Sequence, residues 1–108
     1  MLYNFTQQII GQQVISFKNI INSVNQRITF NCLIASRDTN NDSANFIING
    51  YTRSPNNFVE FYIKELYSPN INTWNVESII INNLDMEITV KSNSLTPTWV
   101  INIDAICV

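Results

Sequence analysis

The sequence predicts an all-β fold, a two-sheet antiparallel sandwich of jelly-roll-like kind with seven to eight strands. Three observations lead to this prediction. Apolar and polar residues alternate with a period of two, turn-forming residues recur about every ten residues, and the apolar positions are mostly β-branched or aromatic. A chain of 108 residues is long enough for one domain, residues 1–108. A domain of this size can bury a core without metal or several disulfides.

Residues 1–25 are predicted to form an N-terminal arm or edge strands. Their apolar residues follow no regular period, and four of the five Gln lie among them. If this segment pairs with the sheet edge of another subunit, its apolar side chains become assembly contacts. The residues predicted to make such contacts are Phe5, Ile9, Ile10, Val14 and Ile15.

Six further strands are predicted over residues 27–35, 45–53, 58–67, 73–82, 86–91 and 99–105. The last two alternate most cleanly, so each has one buried and one wet face. In the strand predicted over residues 27–35, the apolar face carries Ile28, Phe30, Cys32 and Ile34. In the last strand, the apolar face carries Trp99, Ile101, Ile103, Ala105 and, just beyond it, Cys107.

Residues 58–67 also have features of a helix. Asn57 resembles a helix cap, and Glu60 and Lys64 are four residues apart. The aromatic and β-branched residues between them favour a pleated surface instead, so we expect a strand. In that strand the core-facing residues are Val59, Phe61 and Ile63, and the outward ones are Glu60, Tyr62 and Lys64.

Asn and Ile each account for 18 residues. Ile suits the buried faces of strands. With only two glycines in the chain, Asn must supply the left-handed backbone positions of tight turns. Asn inside strands needs another explanation, because Asn is depleted there. We expect these residues on an outer face that packs against other subunits: Asn31, Asn49, Asn75 and Asn102.

The composition excludes several classes of partner. Charged residues make up 13% of the chain, the net charge is −2 and the six basic residues are scattered, so we expect no nucleic acid. No apolar run approaches the ~20 residues of a membrane span, so we expect no membrane. The first residues do not resemble a classical signal peptide. The protein is therefore expected either in the cytoplasm or outside the cell by another route.

No enzymatic activity and no cofactor are expected. The chain has no His, which removes His-based triads and the commonest zinc ligands. Asp38, Asn40 and Asp42 alternate like the first ligands of a calcium loop. Ser43 stands where that loop requires Gly, and Asn49 where it requires Glu, so a solvated polar loop is the preferred interpretation.

Four aromatic residues are candidates for a ligand platform. Tyr51 and Tyr62 project away from the predicted core, and Tyr67 and Trp74 flank one turn. Aromatic rings beside Asn amides suit carbohydrate, because rings pack on sugar C–H faces while amides bond hydroxyl groups. The same residues could instead complete the core or cover a neighbouring subunit.

The two cysteines, Cys32 and Cys107, belong to no metal-binding spacing. Three states remain open for them: buried thiols, an intrachain disulfide, and bonds to neighbouring subunits. Because of the third, both are included among the predicted assembly residues.

Five pieces of the chain carry a family resemblance. In order they are Gly50-Tyr51, residues 59–62, residues 76–81, residues 88–90 and a Cys in the last strand. They resemble the subunits of S-type endospore appendages from spore-forming firmicutes, a jelly-roll family. The resemblance implies a fibre subunit with a flexible N-terminal arm, assembled without a secretion signal. The family's arm carries stapling cysteines, whereas no Cys precedes Arg27 here, so strand addition and apolar contacts would join the subunits.

Together these observations predict a non-enzymatic subunit of a fibre or layer, extracellular or on a spore surface, that forms homo-oligomers through strand addition. The alternative is a small carbohydrate-binding or adhesion module that uses the aromatic platform. A third hypothesis is a module that binds a protein partner, such as an inhibitor or an accessory of a phage or toxin.

Overall fold

The computed structural model describes residues 2–10, 14–18, 20, 27–53, 58–67 and 72–107. Two antiparallel sheets pack as a sandwich, which confirms the predicted fold class. The strands in these ranges are β1 (Leu2–Ile10), β2 (Val14–Phe17), β3 (Ile28–Arg37), β4 (Ser43–Arg53), β5 (Phe58–Tyr67), β6 (Trp74–Asn82), β7 (Asp85–Ser92) and β8 (Thr98–Cys107). The chain therefore has at least eight strands, so the lower number of the predicted seven to eight is wrong.

The described strands are ordered β1-β8-β3-β4-β5 in the larger sheet and β2-β7-β6 in the smaller one. The chain passes from one sheet to the other between β1 and β2, β2 and β3, β5 and β6, and β7 and β8. Such crossings are typical of jelly rolls. β3, β4 and β5 instead follow one another as a meander within the larger sheet, which distinguishes the fold from a roll of two complete Greek keys.

The N-terminal segment contributes edge strands, one of the two predicted alternatives. β1 pairs with β8 of its own chain from Leu2 opposite Ile106 to Ile10 opposite Thr98, and β2 pairs with β7 in the other sheet. Phe5 packs against the core, and its ring meets the ring of Phe17 edge-on at 6.1 Å between centres. Much of this segment is thus built into its own sandwich.

The core lies between the sheets and consists of the inward residues of the alternating strands. β3 and β8 alternate as predicted, with the inward positions of both strands buried. At the centre, Trp99 is stacked on Phe46 at 6.3 Å and meets Trp74 edge-on at 5.4 Å. Large aromatic rings fill this layer because each buries a great deal of apolar surface in a fixed orientation.

A β-bulge changes which residues of β6 face the core. Trp74 points inward, but the register with β7 shifts between Val76 and Ser78, and Ile79 and Ile81 are then the inward residues. One extra residue in a strand moves every following side chain to the opposite face.

The strand interpretation of residues 58–67 is confirmed, but the inner face of β5 is only partly covered. Val59 and Ile63 pack against the core, whereas Phe61 is 37% exposed. The described part of the smaller sheet has three strands against five, so it does not extend over the whole of the edge strand β5.

Asn does occupy left-handed turn positions. Asn41 and Asn83 have φ values of 62° and 55°, in the two described hairpin turns that follow β3 and β6. This confirms that Asn replaces Gly in those turns. The Asn- and Pro-containing connections at residues 54–57 and 68–70 lie outside the described residues.

Candidate functional site

The outer face of the five-stranded sheet carries aligned rows of side chains, because the five strands pair in continuous register. One row consists of Asn4, Asp104, Asn31, Asn49 and Tyr62. The next row consists of Thr6, Asn102, Leu33, Ile47 and Lys64. Three of the four in-strand Asn thus come together on one outer face as predicted, whereas Asn75 lies on β6 of the other sheet.

On the β1 and β8 side of this face, the amides bond to one another. Asn4 Nδ2 donates to Asp104 Oδ1, and Asn102 Nδ2 donates to Thr6 Oγ1 at 2.7 Å. The Asn4 and Asn102 amides also lie 3.5 Å apart. These in-strand Asn therefore have an intramolecular role, since they join β1 to β8 through side chains as well as through the backbone.

On the β3 and β4 side, the amides have no such partners. Asn31 and Asn49 are opposite each other on the two strands, and neither side chain bonds to any other residue that the structure describes. With Tyr51, Glu60 and Tyr62 they line a groove of about 620 Å³. The Tyr51 hydroxyl donates to Glu60 Oε2 at 2.5 Å, which orients both side chains at the end of the groove.

Beside the groove runs a band of exposed apolar side chains, here called the apolar band. Leu33 and Ile47 are direct cross-strand partners, and Val100 and Leu66 extend the band diagonally onto β8 and β5. Leu33 is 55% exposed and Leu66 is 49% exposed. Outward positions of an antiparallel sandwich are usually polar, so these apolar side chains need a separate explanation.

The few charges of this face are spread along the strands. The acidic residues Glu60 and Asp104 lie toward one end, where the exposed Arg27 directly precedes β3. Lys64 lies near the middle and Arg37 at the opposite end. The face is therefore nearly neutral overall.

Two of the four residues predicted for an aromatic platform have the outward placement expected of them. Tyr51 and Tyr62 lie on the outer face, and Tyr62 is 71% exposed. The prediction is wrong for Trp74, which is 2% exposed, packs against Trp99 and donates its Nε1–H to Asp42 Oδ2 at 3.0 Å. The side chain of Tyr67 lies outside the described residues.

The loop between β3 and β4 is solvated at residues 39–41, as predicted, but its two carboxylates, Asp38 and Asp42, form a buried hydrogen-bond hub. Asp38 is only 5% exposed, and its Oδ1 accepts the backbone N–H groups of Asn40 and Asp42 at 2.9 and 3.0 Å. Its Oδ2 accepts from Asn72 Nδ2 at 2.9 Å and from Ser94 Oγ at 3.0 Å. This carboxylate therefore joins three separate parts of the chain.

The same geometry argues against the calcium interpretation. Asp42 Oδ2 accepts from the backbone N–H of Asn72 and from Trp74 Nε1. N–H and O–H hydrogens thus occupy both oxygens of Asp38 and one oxygen of Asp42, and Asn40 is exposed. Within the described ranges, no group of three or more Cys, Asp or Glu side chains is placed to hold a metal ion.

The two cysteines are buried thiols that form no disulfide. Cys32 is opposite Ile103 and Cys107 is opposite Ile28, so four residues, about 14 Å, separate them along the strands. That is beyond the reach of an intrachain disulfide. Burial also raises the pKa of the Cys32 thiol to about 12, which keeps it protonated and unreactive near neutral pH.

Several predicted assembly residues are inaccessible in the folded subunit. The prediction is wrong for Ile15, Cys32 and Cys107, which are at most 5% exposed because they point into the core. Phe5 and Ile9 pack partly against that core. Ile10 and Val14 are 69% and 58% exposed.

Comparison with known proteins adds no relative: no protein-family model, curated protein or solved structure matches this chain. In the described part of the chain, no helix has the length and apolar character required to span a membrane. Function must therefore be argued from the outer face itself.

Proposed function

We propose that this chain is a non-enzymatic structural subunit that self-assembles through the outer face of its five-stranded sheet. The apolar band is the observation that carries this proposal. Four large apolar side chains on the adjacent strands β8, β3, β4 and β5 are exposed in two neighbouring rows of a face that has few charges. Contiguous exposed apolar surface on a small domain usually marks an interaction site, since burying it removes apolar area from water.

A second copy of the chain is the partner that fits this face. Five strands at about 4.8 Å spacing and ten residues at about 3.4 Å give roughly 800 Å², which is about what each partner contributes to a stable interface. Two copies can stack so that β3 of one runs opposite to β3 of the other. The end carrying Glu60 and Asp104 in one copy then meets the end carrying Arg37 in the other. Opposite charges at the rim then favour this orientation.

Strand addition, the predicted mode of assembly, is proposed to extend the contact at the sheet edge. In the described part of the larger sheet, β1 is an edge strand that pairs with β8 on one side. Its nine residues include no charge, no Pro and no Gly. Edge strands are usually protected by such residues or by bulges, so a long edge without them is suited to pairing with another chain.

A charge placed in the apolar band tests the proposal. We expect the wild-type chain to form oligomers in size-exclusion chromatography with light scattering, and Leu33→Arg to be monomeric. Asn75→Arg is the matched control, because it adds the same charge at an exposed strand position of the other sheet. Equal assembly of Leu33→Arg and wild type would contradict the proposal, provided that both variants unfold at the wild-type temperature.

The proposal includes a location on a cell or spore surface, in a fibre or layer. Antibody labelling of intact cells and spores from the native source tests this part, with detection only after lysis as the contrary result. Sporulation genes beside the coding gene would agree with it, whereas phage or toxin genes would favour a partner-binding module.

A further inference from the structure

We propose that the groove lined by Asn31, Asn49, Tyr51, Glu60 and Tyr62 binds a neutral carbohydrate. The pair of unbonded amides next to an exposed aromatic ring carries this inference. It goes beyond the assembly role and does not depend on it, because the groove shares no side chain with the apolar band. The groove lies on the same outer face and includes Glu60, so two stacked copies would cover it and the sugar binds the single chain.

The aromatic part of the groove comes from β5 and β4. Tyr62 is directly opposite Asn49 and is 71% exposed, so its ring is available to a ligand that lies on the sheet. Tyr51 is one row away and is fixed by the hydrogen bond to Glu60. Tyrosine rings offer an apolar face to the C–H groups of a sugar and a hydroxyl to its oxygens.

The amide part of the groove has unused hydrogen-bonding capacity. Each Asn side chain supplies two N–H donors and one carbonyl acceptor, and sugar hydroxyls both donate and accept. Asn4 and Asn102, on the same face, bond to Asp104 and Thr6. Asn31 and Asn49 make no such bond within the described residues, so a ligand can pair with them without breaking an internal contact.

The charge and size of the groove narrow the ligand class. Its lining contains no Lys or Arg and one carboxylate, Glu60, so phosphates, nucleotides and acidic sugars are disfavoured. The volume of about 620 Å³ falls in the range of small-ligand sites, about 300–1,000 Å³. A neutral oligosaccharide satisfies all of these features.

Saturation-transfer difference NMR tests the proposal, because it detects the protons of a bound sugar. The wild-type chain and each variant are compared at concentrations at which the chain is a single copy, since stacked copies would cover the groove. Tryptophan fluorescence is less suitable, since Trp74 and Trp99 are buried. The probes are chitotriose, maltotriose and cellotriose, with sialyllactose as the acidic comparison. We expect transfer to the ring C–H protons of at least one neutral trisaccharide at millimolar concentration, and weaker transfer to sialyllactose.

Substitutions inside and outside the groove test whether the sugar binds there. Tyr62→Ala and Asn49→Ala are expected to weaken binding about tenfold, as loss of one ring contact or one hydrogen-bonding amide implies. The matched controls are Lys64→Ala and Asn45→Ala, which are on the same strands and face but outside the groove. Both are expected to bind within about twofold of wild type.

Three results would overturn the proposal: no transfer to any neutral trisaccharide, equal binding of sialyllactose, or equal weakening by Asn49→Ala and Asn45→Ala. Binding is expected to persist in Leu33→Arg, in which the apolar band is disrupted. The assembly proposal and the carbohydrate proposal can therefore fail independently.

Discussion

Leu33 and Ile47 are direct cross-strand partners near the middle of the five-stranded sheet, and both side chains point away from the core. On the same two strands, the Asn31–Asn49 pair and the Ala35–Asn45 pair flank them. An apolar centre with polar neighbours is the usual arrangement of a protein interface rather than of a surface that faces water. This pair therefore links the fold to the proposed assembly.

Loss of the Asp38 carboxylate should destabilise the sandwich strongly. The Asp38→Ala variant leaves four donors without their acceptor: the buried Asp42 N–H and Ser94 Oγ, and the part-buried Asn40 N–H and Asn72 Nδ2. Because each unsatisfied buried group costs about 1–3 kcal/mol, we expect the free energy of unfolding to fall by ~3 kcal/mol or more. Urea unfolding followed by circular dichroism measures this difference.

Asn40→Ala is the control in the same loop. Only its backbone N–H contributes to the hub, so we expect a change within about 0.5 kcal/mol. Millimolar calcium should leave the urea midpoint of the wild-type chain unchanged, because N–H and O–H donors occupy the carboxylates. A calcium-dependent rise in that midpoint would restore the calcium interpretation of this loop.

Replacing Gly50 by Ala should destabilise the fold, because the added Cβ would lie too close to its neighbours. A Cβ at this position would lie 2.6 Å from Phe30 Cζ and 2.8 Å from the carbonyl oxygen of Glu60. We expect Gly50→Ala to cost about 1–3 kcal/mol, or a fall of several degrees in the thermal midpoint. In a Phe30→Leu background the same substitution should cost less, because one of the two contacts is gone. An equal cost in both backgrounds would contradict the role of the Phe30 ring.

The buried thiol of Cys32 should lower the free energy of unfolding as the pH rises above 9. Burial raises the pKa of its thiol from 9.0 to about 12, so in this pH range the unfolded chain loses a proton that the folded chain retains. Proton release then favours unfolding, and the free energy of unfolding falls by up to ~1.4 kcal/mol per pH unit above pH 9. Cys32→Ala should lack this component. Urea unfolding of both chains across this range measures it, and parallel pH profiles would contradict the account.

The inward faces of the strands could be predicted from the sequence because period-two alternation follows from strand geometry alone. Ile28, Phe30 and Ile101 are buried for that reason. The predictions that were wrong concern residues whose environment is set by contacts between distant parts of the chain. Trp74 joins the core and bonds to Asp42, 32 residues away, and Asp38 bonds to Ser94, 56 residues away. A local pattern contains no information about such partners.

The candidate site was predictable only in part. Asn31 and Asn49 were expected on an outer face because they alternate with apolar inward residues. The apolar band was missed, although Leu33 and Ile47 occupy outward positions of regular strands and could have been noticed as exceptions. That these two side chains meet depends on the register of the β3–β4 hairpin, which the sequence pattern does not determine.

Sedimentation velocity of the wild-type chain over a series of concentrations tests self-assembly most directly. If the outer face packs on a second copy, the weight-average mass should rise with concentration above the 12.4 kDa of the single chain. Leu33→Arg should stay at the mass of the single chain over the same series. A wild-type chain that sediments as a single 12.4 kDa species at every concentration would contradict the proposed function.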